Sequence, residues 1–492
     1  MAEKQRVCII GAGFSGLAAA ACLAADGFDV TVLEKNNEIG GRARKFESGG
    51  FTFDMGPSWY WMPEVFENFY NRFGHKASDF YELVRLDPSY EVVFGKDDSL
   101  EMPADYAGLR AMFESLEPGS AANLDAFLND AGYKYLTGMN EFVWKPGHSP
   151  LEFVEPKVIS AMFRLDMLKS VTEVVDRNFR NEKLRDILKF PVLFLGATAS
   201  DTPALYTLMN YADMKLGTWY PMGGMHRIVD AFVRIAEEQD VKIRTGEEVI
   251  SFSYTRDRVS KVFTNKSSED FDIVICSADY RHVDQKVLDP KYRNYSEGYW
   301  EKRTMAPSSL LFYLGLDSKL EGFRHHTLFF DRNLDIHARQ IYTNPAWPDE
   351  PLFYMCTPSV TDASVAPSDR ENVFLLMPLA PGLEDNEQVR EKYFDIICDR
   401  ILSVKGVDLR THLVFKRSYC VNDFQKDYFA FKGNAYGLAN TLMQTAFLKP
   451  KLRNRTLTNF YYTGQLTTPG PGVPPAIISG QVVAKEISKS FK

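Results

Sequence analysis

The 492-residue sequence has no Cys-x-x-Cys pair; its six cysteines, Cys8, Cys22, Cys276, Cys356, Cys398 and Cys420, are scattered. That spacing argues against a disulfide framework and a structural zinc site, and it suits buried thiols in a reducing compartment. The eight histidines offer no zinc spacing either. His325 and His326 are adjacent, and on a strand their side chains diverge, so a shared ligand role is not expected and no metal is assigned. Positive charge is also short: 57 Lys and Arg against 65 Asp and Glu leave a net charge of −8. Nucleic-acid phosphates repel such a surface, and no basic tail offsets it. Apart from residues 7–25 there is no uncharged run of membrane-spanning length, so the chain is expected to be soluble or attached to one leaflet. A second dinucleotide fingerprint and a convincing nucleophile–base pair are both missing.

What is present begins at once. Arg6 to Glu34 read as strand, glycine turn, helix and a second strand ending on an acid. Val7–Ile10 is a short apolar run suited to a buried parallel strand, and Ser15–Ala25 is Ala/Leu-rich, ending at Asp26-Gly27 where glycine supplies a left-handed cap. Gly11 permits the tight turn, Gly13 lets the backbone approach a pyrophosphate, and Gly16 lets helix and strand pack closely. The phosphates then sit at the helix N-terminus. Glu34, with Lys35 beside it, closes the site by accepting hydrogen bonds from an adenosine ribose. A signal peptide mimics the hydropathy of this stretch, with Lys4 and Arg6 as its basic flank. It does not require three glycines at this spacing.

Gly40-Gly41-Arg42 follows, then Phe51 to Ser58 with Asp54, Met55, Gly56 and Pro57. Paired glycines and an arginine bring amides and a guanidinium to the same pyrophosphate, which favours FAD over NAD. Gly56-Pro57, with Ser58, makes a rigid corner suited to a flat ring, and equally to an ordinary turn. Near the C-terminus, Asn459 to Gln465 reads as a strand passing through Gly464. A Gly/Pro loop with Gly470, Gly472, Val473, Pro474 and Pro475 leads into a helix over Ala476–Ser488. The unpaired amides of that helix are expected to face the isoalloxazine ring. Both ends of the chain thus build one site.

With Trp219 to Gly224 and Cys356 to Pro367 added, these motifs resemble the bacterial-type phytoene and carotenoid desaturases, relatives of the flavin amine oxidases. The similarity runs the whole chain, and Trp59-Tyr60-Trp61-Met62-Pro63 is similar to the Bacteroidetes-like branch. The resemblance implies FAD as cofactor and places Val249 where a strand backbone meets the adenine, although a core valine reads equally well. Many relatives carry an acid after the C-terminal strand glycine to bind the ribityl chain; here Gln465 stands there.

The length predicts two domains. Helical spacing over Ile228–Gln239 and strands at Val241–Arg244, Glu248–Tyr254, Val259–Thr264 and Phe271–Cys276 give an α/β architecture: a discontinuous Rossmann-type FAD-binding domain over 1–75, 215–285 and 450–492. The substrate domain, 76–214 and 286–449, is α+β, with a mixed sheet including Leu310–Leu316 and Phe374–Leu379. Helices are expected over Val158–Phe179 and Glu182–Leu195. Met162, Phe163, Leu165, Met167 and Leu168 beside Lys157, Arg164 and Lys169 would let the first rest on a membrane, unless they pack in the core.

The implied reaction moves hydride from an allylic carbon to the flavin and a proton from its neighbour. A polyene has few polar handles, so Trp59, Tyr60, Trp61 and Phe312 are candidate tunnel walls, with apolar burial contributing roughly 0.8 kcal/mol per CH₂. No catalytic acid or base is identified. The expectation is a carotenoid desaturase, phytoene-type or acting on a hydroxycarotenoid at the 3,4 position. It would sit on the cytoplasmic face of the inner membrane, with oxygen or quinone as electron acceptor. A carotenoid isomerase, an amine oxidase and a prenyl-binding escort protein are the alternatives.

Overall fold

The computed structural model describes residues 4–153, 166, 169–193 and 195–491. Arg6–Ile10 lies at the centre of a five-stranded parallel sheet, ordered Phe460–Tyr462, Ile273–Cys276, Arg6–Ile10, Asp29–Leu33, Lys242–Arg244. Four of the buried strands are apolar nearly throughout, as parallel strands covered on both faces must be. One sheet therefore gathers segments from the start, the middle and the end of the chain.

The opening helix Phe14–Ala25 is buried without a gap from Phe14 to Leu23, which is why it carries no charged face. It packs between His226–Glu238 and the closing helix Val473–Phe491. Gly480 permits the approach, since a Cβ there would stand 2.3 Å from the Ser15 carbonyl oxygen. This contact brings the two ends of the chain together.

The second sheet has seven strands in the order Leu413–Tyr419, Ser308–Leu316, Glu371–Leu379, Phe353–Cys356, His326–Phe329, Tyr90–Gly95, Asp98–Met102. It is mixed: His326–Phe329 runs parallel to Tyr90–Gly95 and the other pairs are antiparallel. The expected strands at Leu310–Leu316 and Phe374–Leu379 pair as its second and third strands, each longer at its N-terminal end.

Of the two helices expected from apolar spacing, one occupies Glu182–Leu193. The other differs from expectation. Its described part begins only at Val171, where Ser170 is an extended N-cap in a capping box with Glu173, and it ends at Asn178 before the extended Phe179. Met162, Phe163, Leu165, Met167, Leu168, Lys157 and Arg164 lie outside the described residues. Among the described residues, no helix is long and apolar enough to cross a membrane.

Candidate functional site

A cavity of about 780 Å³ runs between the two sheets, its wall drawn from both ends of the chain. Gly11, Gly13, Ser15, Glu34, Lys35, Gly41 and Arg42 line one part, with Val249 beside them. Gly56, Pro57 and Ser58 line the next, opposite Gly464, Gln465, Gly472, Val473 and Pro474. Of the residues expected to bind the cofactor, only Gly16 is absent from the wall. It serves packing instead, since a Cβ there would stand 2.2 Å from the Gly11 carbonyl oxygen.

Gly13 is the N-cap of the opening helix and makes no side-chain cap bond, so the first-turn amides face the cavity without an internal partner. A Cβ on Gly13 would meet no protein atom within 4 Å, while one on Gly41 would lie 3.4 Å from Gly13 Cα. The two glycines thus form a cradle that side chains would fill, the shape a pyrophosphate needs. Glu34 is held in the wall by two backbone donors: Ala12 N to Oε2 at 2.9 Å and Asn36 N to Oε1 at 2.9 Å. Its remaining lone pairs are those a ribose hydroxyl would use. Lys35 donates to the Lys426 carbonyl at 2.9 Å, and burial lowers its ammonium below the ordinary lysine value.

The Arg42 guanidinium is part-buried in the wall, and desolvation lowers its pKa. It lies 4.9 Å from the Tyr428 ring centroid, and its Nε has no hydrogen-bond partner. Gln465 presents its amide oxygen to Nη2 at 3.0 Å and Nη1 at 3.2 Å. A neutral partner there leaves the arginine's charge for a phosphate. The donor set and the glycine cradle fit the expected FAD.

Sequence reading missed three wall residues near this point. Asp279 caps the turn after Ile273–Cys276 by accepting from His282 N at 2.9 Å, and burial raises its carboxyl to about 6. His282 stacks on Phe429 with centroids 3.8 Å apart, and burial lowers it to about 4, keeping the imidazole neutral. Asn440 is the third, in a segment without a motif. Asp279 lies just beyond the carboxyl end of a parallel strand, the place where ligands bind in open α/β sheets, and that rule was the available signal.

The closing helix starts three residues earlier than the expected Ala476. Its first turn is Val473-Pro474-Pro475, and proline has no N–H, so of these three residues only Val473 has an amide to offer.

Toward the other end, Trp59, Trp61, Tyr354, Phe374 and Leu376 make the wall apolar. Trp59 and Trp61 stand as expected; Tyr60 and Phe312 do not. Along Ser308–Leu316 side chains alternate, so Ser309 and Leu311 reach the cavity while Phe312 points to the other face against Phe394, 5.0 Å away. Tyr60 is fully buried beside Phe66, with its hydroxyl bonded to Tyr81. Trp61 is anchored by its indole N–H to Thr218 Oγ1 at 2.8 Å, and Thr218 donates to Asp213 at 3.1 Å.

His325 and His326 also differ from expectation. The strand starts only at His326, so the two rings do not diverge; their centroids are 4.5 Å apart. Their nitrogens and Cys356 Sγ lie within 4.8 Å of one another. All three are buried, and desolvation pushes the thiol up to about 12, holding it protonated. His326 stacks on Trp59 at 4.2 Å and 14°, so the cluster backs the cavity wall.

Two other motifs turn out to be braces. Asp54 accepts from Met225 N at 2.7 Å and His226 N at 2.9 Å, and Asp362 accepts from Gly223 N at 2.6 Å. Asp54 thereby holds the start of the His226–Glu238 helix, and Asp362 holds the glycine turn that leads into it.

The family of flavin containing amine oxidoreductases matches residues 14–488. A carotenoid 3,4-desaturase of Haloarcula japonica is 39% identical over 484 residues, covering 98% of each chain. A 4,4'-diapophytoene desaturase (4,4'-diaponeurosporene-forming) of Staphylococcus haemolyticus is 30% identical over 498 residues, 99% of each chain. Among solved structures, an oxidoreductase from Methanosarcina mazei aligns with TM-score 0.65 at 16% identity, covering 98% of this chain and 100% of that one. Putrescine oxidase bound to putrescine aligns with TM-score 0.64 at 13% identity, over 99% of each chain.

Proposed function

This chain belongs to the carotenoid desaturases of the flavin-containing amine oxidoreductase family and takes FAD; on that premise we propose that it dehydrogenates a long carotenoid at the 3,4 position, adding one conjugated double bond. The observation that carries the reading is the cavity: a phosphate-sized glycine cradle and an apolar part walled by Trp59 and Trp61 belong to one continuous lining. The 3,4 position is favoured by the relative of that name, which is 39% identical, against 30% for the diapophytoene desaturase.

FAD, when bound, supplies the acceptor for the hydride that leaves one carbon, while a proton leaves the next. Gly13, Gly41 and Arg42 would hold the pyrophosphate and Glu34 the ribose, with Val249 toward the adenine. Gly56, Pro57, Gly464, Gln465, Gly472 and Val473 would enclose the ring. Trp59, Trp61, Tyr354, Phe374 and Leu376 exclude water and fix the polyene by shape, each buried CH₂ contributing roughly 0.8 kcal/mol. Positioning of the C–H bond is the chain's main contribution to rate.

The substrate enters from a membrane. Leu442 and Met443 line the cavity yet are 40% and 70% exposed, and we take them as its mouth; next to the lining residues Phe142, Val143 and Lys145 in sequence stand Trp144 at 42% and Leu151 at 77%. Such a rim with a lysine suits peripheral binding to the cytoplasmic face of the inner membrane. A lipid-soluble quinone could leave with the electrons by the same mouth, and oxygen is the alternative acceptor.

The test is incubation of the flavin-loaded protein with phytoene, γ-carotene and a 1′-hydroxycarotenoid in liposomes, with products separated by chromatography. A red-shifted product from the hydroxycarotenoid supports the 3,4 assignment. Conversion of phytoene alone would move the protein to the phytoene type, and turnover of an amine alone would refute desaturation.

A further inference from the structure

Lys449 is 2% exposed, in a stretch between Leu448 and Pro450. Its Nζ donates to Asn440 Oδ1 at 2.8 Å and stands 3.3 Å from where a Cβ on Gly470 would lie. Asn440 and Gly470 both line the cavity, in the part built by the Gly/Pro loop. The Asn440 backbone N–H is used by the Leu195 carbonyl at 2.9 Å and its amide oxygen by Lys449. Its amide NH₂ is therefore left over, at a residue of the cavity wall.

Charged groups on the neighbouring segments are engaged elsewhere. Lys145 donates to the Glu152 carbonyl, while the Glu152 carboxylate accepts from the Gly147, His148 and Ser149 amides. His148 pairs with Glu486, and Lys451 donates to the Gly147 and Phe447 carbonyls. Across the loop, Arg42 is held by Gln465. Desolvation is the sole influence on the Lys449 amine, lowering it to about 7. A buried ammonium with one neutral acceptor is unfavourable unless a negative charge arrives beside it.

The helix that follows the loop cannot supply all the compensation itself, because Pro474 and Pro475 have no N–H. We propose that Lys449 is a positioning residue of the flavin site, which, through the Asn440 amide and the Gly470 loop, balances the negative charge the cofactor gains on reduction. The inference rests on FAD being the cofactor. Two electrons and one proton arrive on the cofactor as hydride, a second proton is taken up by the Lys449 amine, and the closed site gains no net charge.

The test is the two-electron midpoint potential of the purified FAD-loaded protein, without carotenoid, as a function of pH. Each coupled proton contributes about 30 mV per pH unit, a tenfold proton change converted at 29.6 mV for a two-electron couple. Above about pH 7, where the oxidised protein has a neutral Lys449, wild type is expected to show a slope of about 60 mV per unit for two protons. Lys449→Met is expected to show about 30 mV per unit and a lower potential. Lys449→Arg keeps a fixed charge, restoring the higher potential with the one-proton slope. Asn440→Leu leaves the lysine but removes the amide, and should lower the potential. Equal slopes and potentials in flavin-bound wild type and Lys449→Met would overturn the proposal while leaving the FAD reading intact. An unchanged potential in Asn440→Leu would overturn the route through the amide. If Lys449→Met does not fold, the arginine and leucine variants still decide. Wild type that holds no flavin would overturn the FAD reading itself, and the proposal with it.

Discussion

The Gln465 amide oxygen receives both Nη atoms of Arg42, at 3.0 and 3.2 Å, inside the cavity wall. Family resemblance alone made Gln465 a departure, an amide where many relatives have an acid for the ribityl chain. In the fold it is the residue that orients a desolvated guanidinium while leaving its charge unspent. Arg42→Ala is therefore expected to weaken FAD binding by tens-fold, taking roughly 1.5–3 kcal/mol for a lost charged hydrogen bond. Gln465→Glu should also weaken it, because a carboxylate would neutralise Arg42 before a phosphate arrives. Titration of apoprotein with FAD, followed by flavin fluorescence, measures both; tighter binding in the Glu variant would contradict the geometry.

The glycines of the turn separate by the same test. A side chain on Gly13 enters open cavity, whereas one on Gly16 meets the Gly11 carbonyl at 2.2 Å. Gly13→Val should leave the apoprotein folded, with stability within about 1 kcal/mol, and abolish flavin retention. Gly16→Val should damage the fold itself. Thermal unfolding together with flavin content distinguishes them.

Membrane loading depends on the rim. Leu442→Asp with Met443→Asp places charge on residues that are 40% and 70% exposed, so folding should be unaffected. Co-sedimentation with liposomes and turnover of liposomal carotenoid are expected to fall at least tenfold, while FAD binding stays the same. Unchanged co-sedimentation would remove the mouth from the binding surface.

Asp213 gives a pH dependence. It is 2% exposed, accepts from Tyr90 Oη at 2.7 Å and from Thr218, and burial raises its carboxyl from 3.8 to about 7. The folded protein keeps this proton where the unfolded chain releases it. The stabilisation is complete below about pH 4 and is lost as the pH rises through 7. Asp213→Asn should thus gain in Tm over wild type on going from pH 5 to pH 8, by an amount corresponding to on the order of a few kcal/mol. Asp213→Ala should lose stability at both, because the Tyr90 and Thr218 hydroxyls are then unpaired, and the anchor of Trp61 goes with them.

Local pattern made much of this visible beforehand. The glycine turn, Glu34 and the Gly/Pro loop carry their own geometry, and the apolar runs of the parallel strands announce burial on two faces. What escaped depends on tertiary placement. Phe312 was assigned to the tunnel by type, but strand alternation turns it away and brings Ser309 and Leu311 inward. His325 sits one residue before its strand, so a rule for strands misplaced it. Lys449 has no motif around it; only the fold brings it to Asn440 and the Gly470 loop. Pro474 and Pro475 were placed in the loop, whereas the helix reaches back through them to Val473, because proline is tolerated in a first turn.

The most direct measurement mixes the FAD-loaded protein anaerobically with a 1′-hydroxycarotenoid in liposomes and follows flavin and polyene absorbance together. Loss of oxidised-flavin absorbance in step with a red shift of the polyene, one double bond per flavin reduced, is the expected result. A polyene change without flavin reduction, or reduction by a small amine with the polyene untouched, would contradict the assignment.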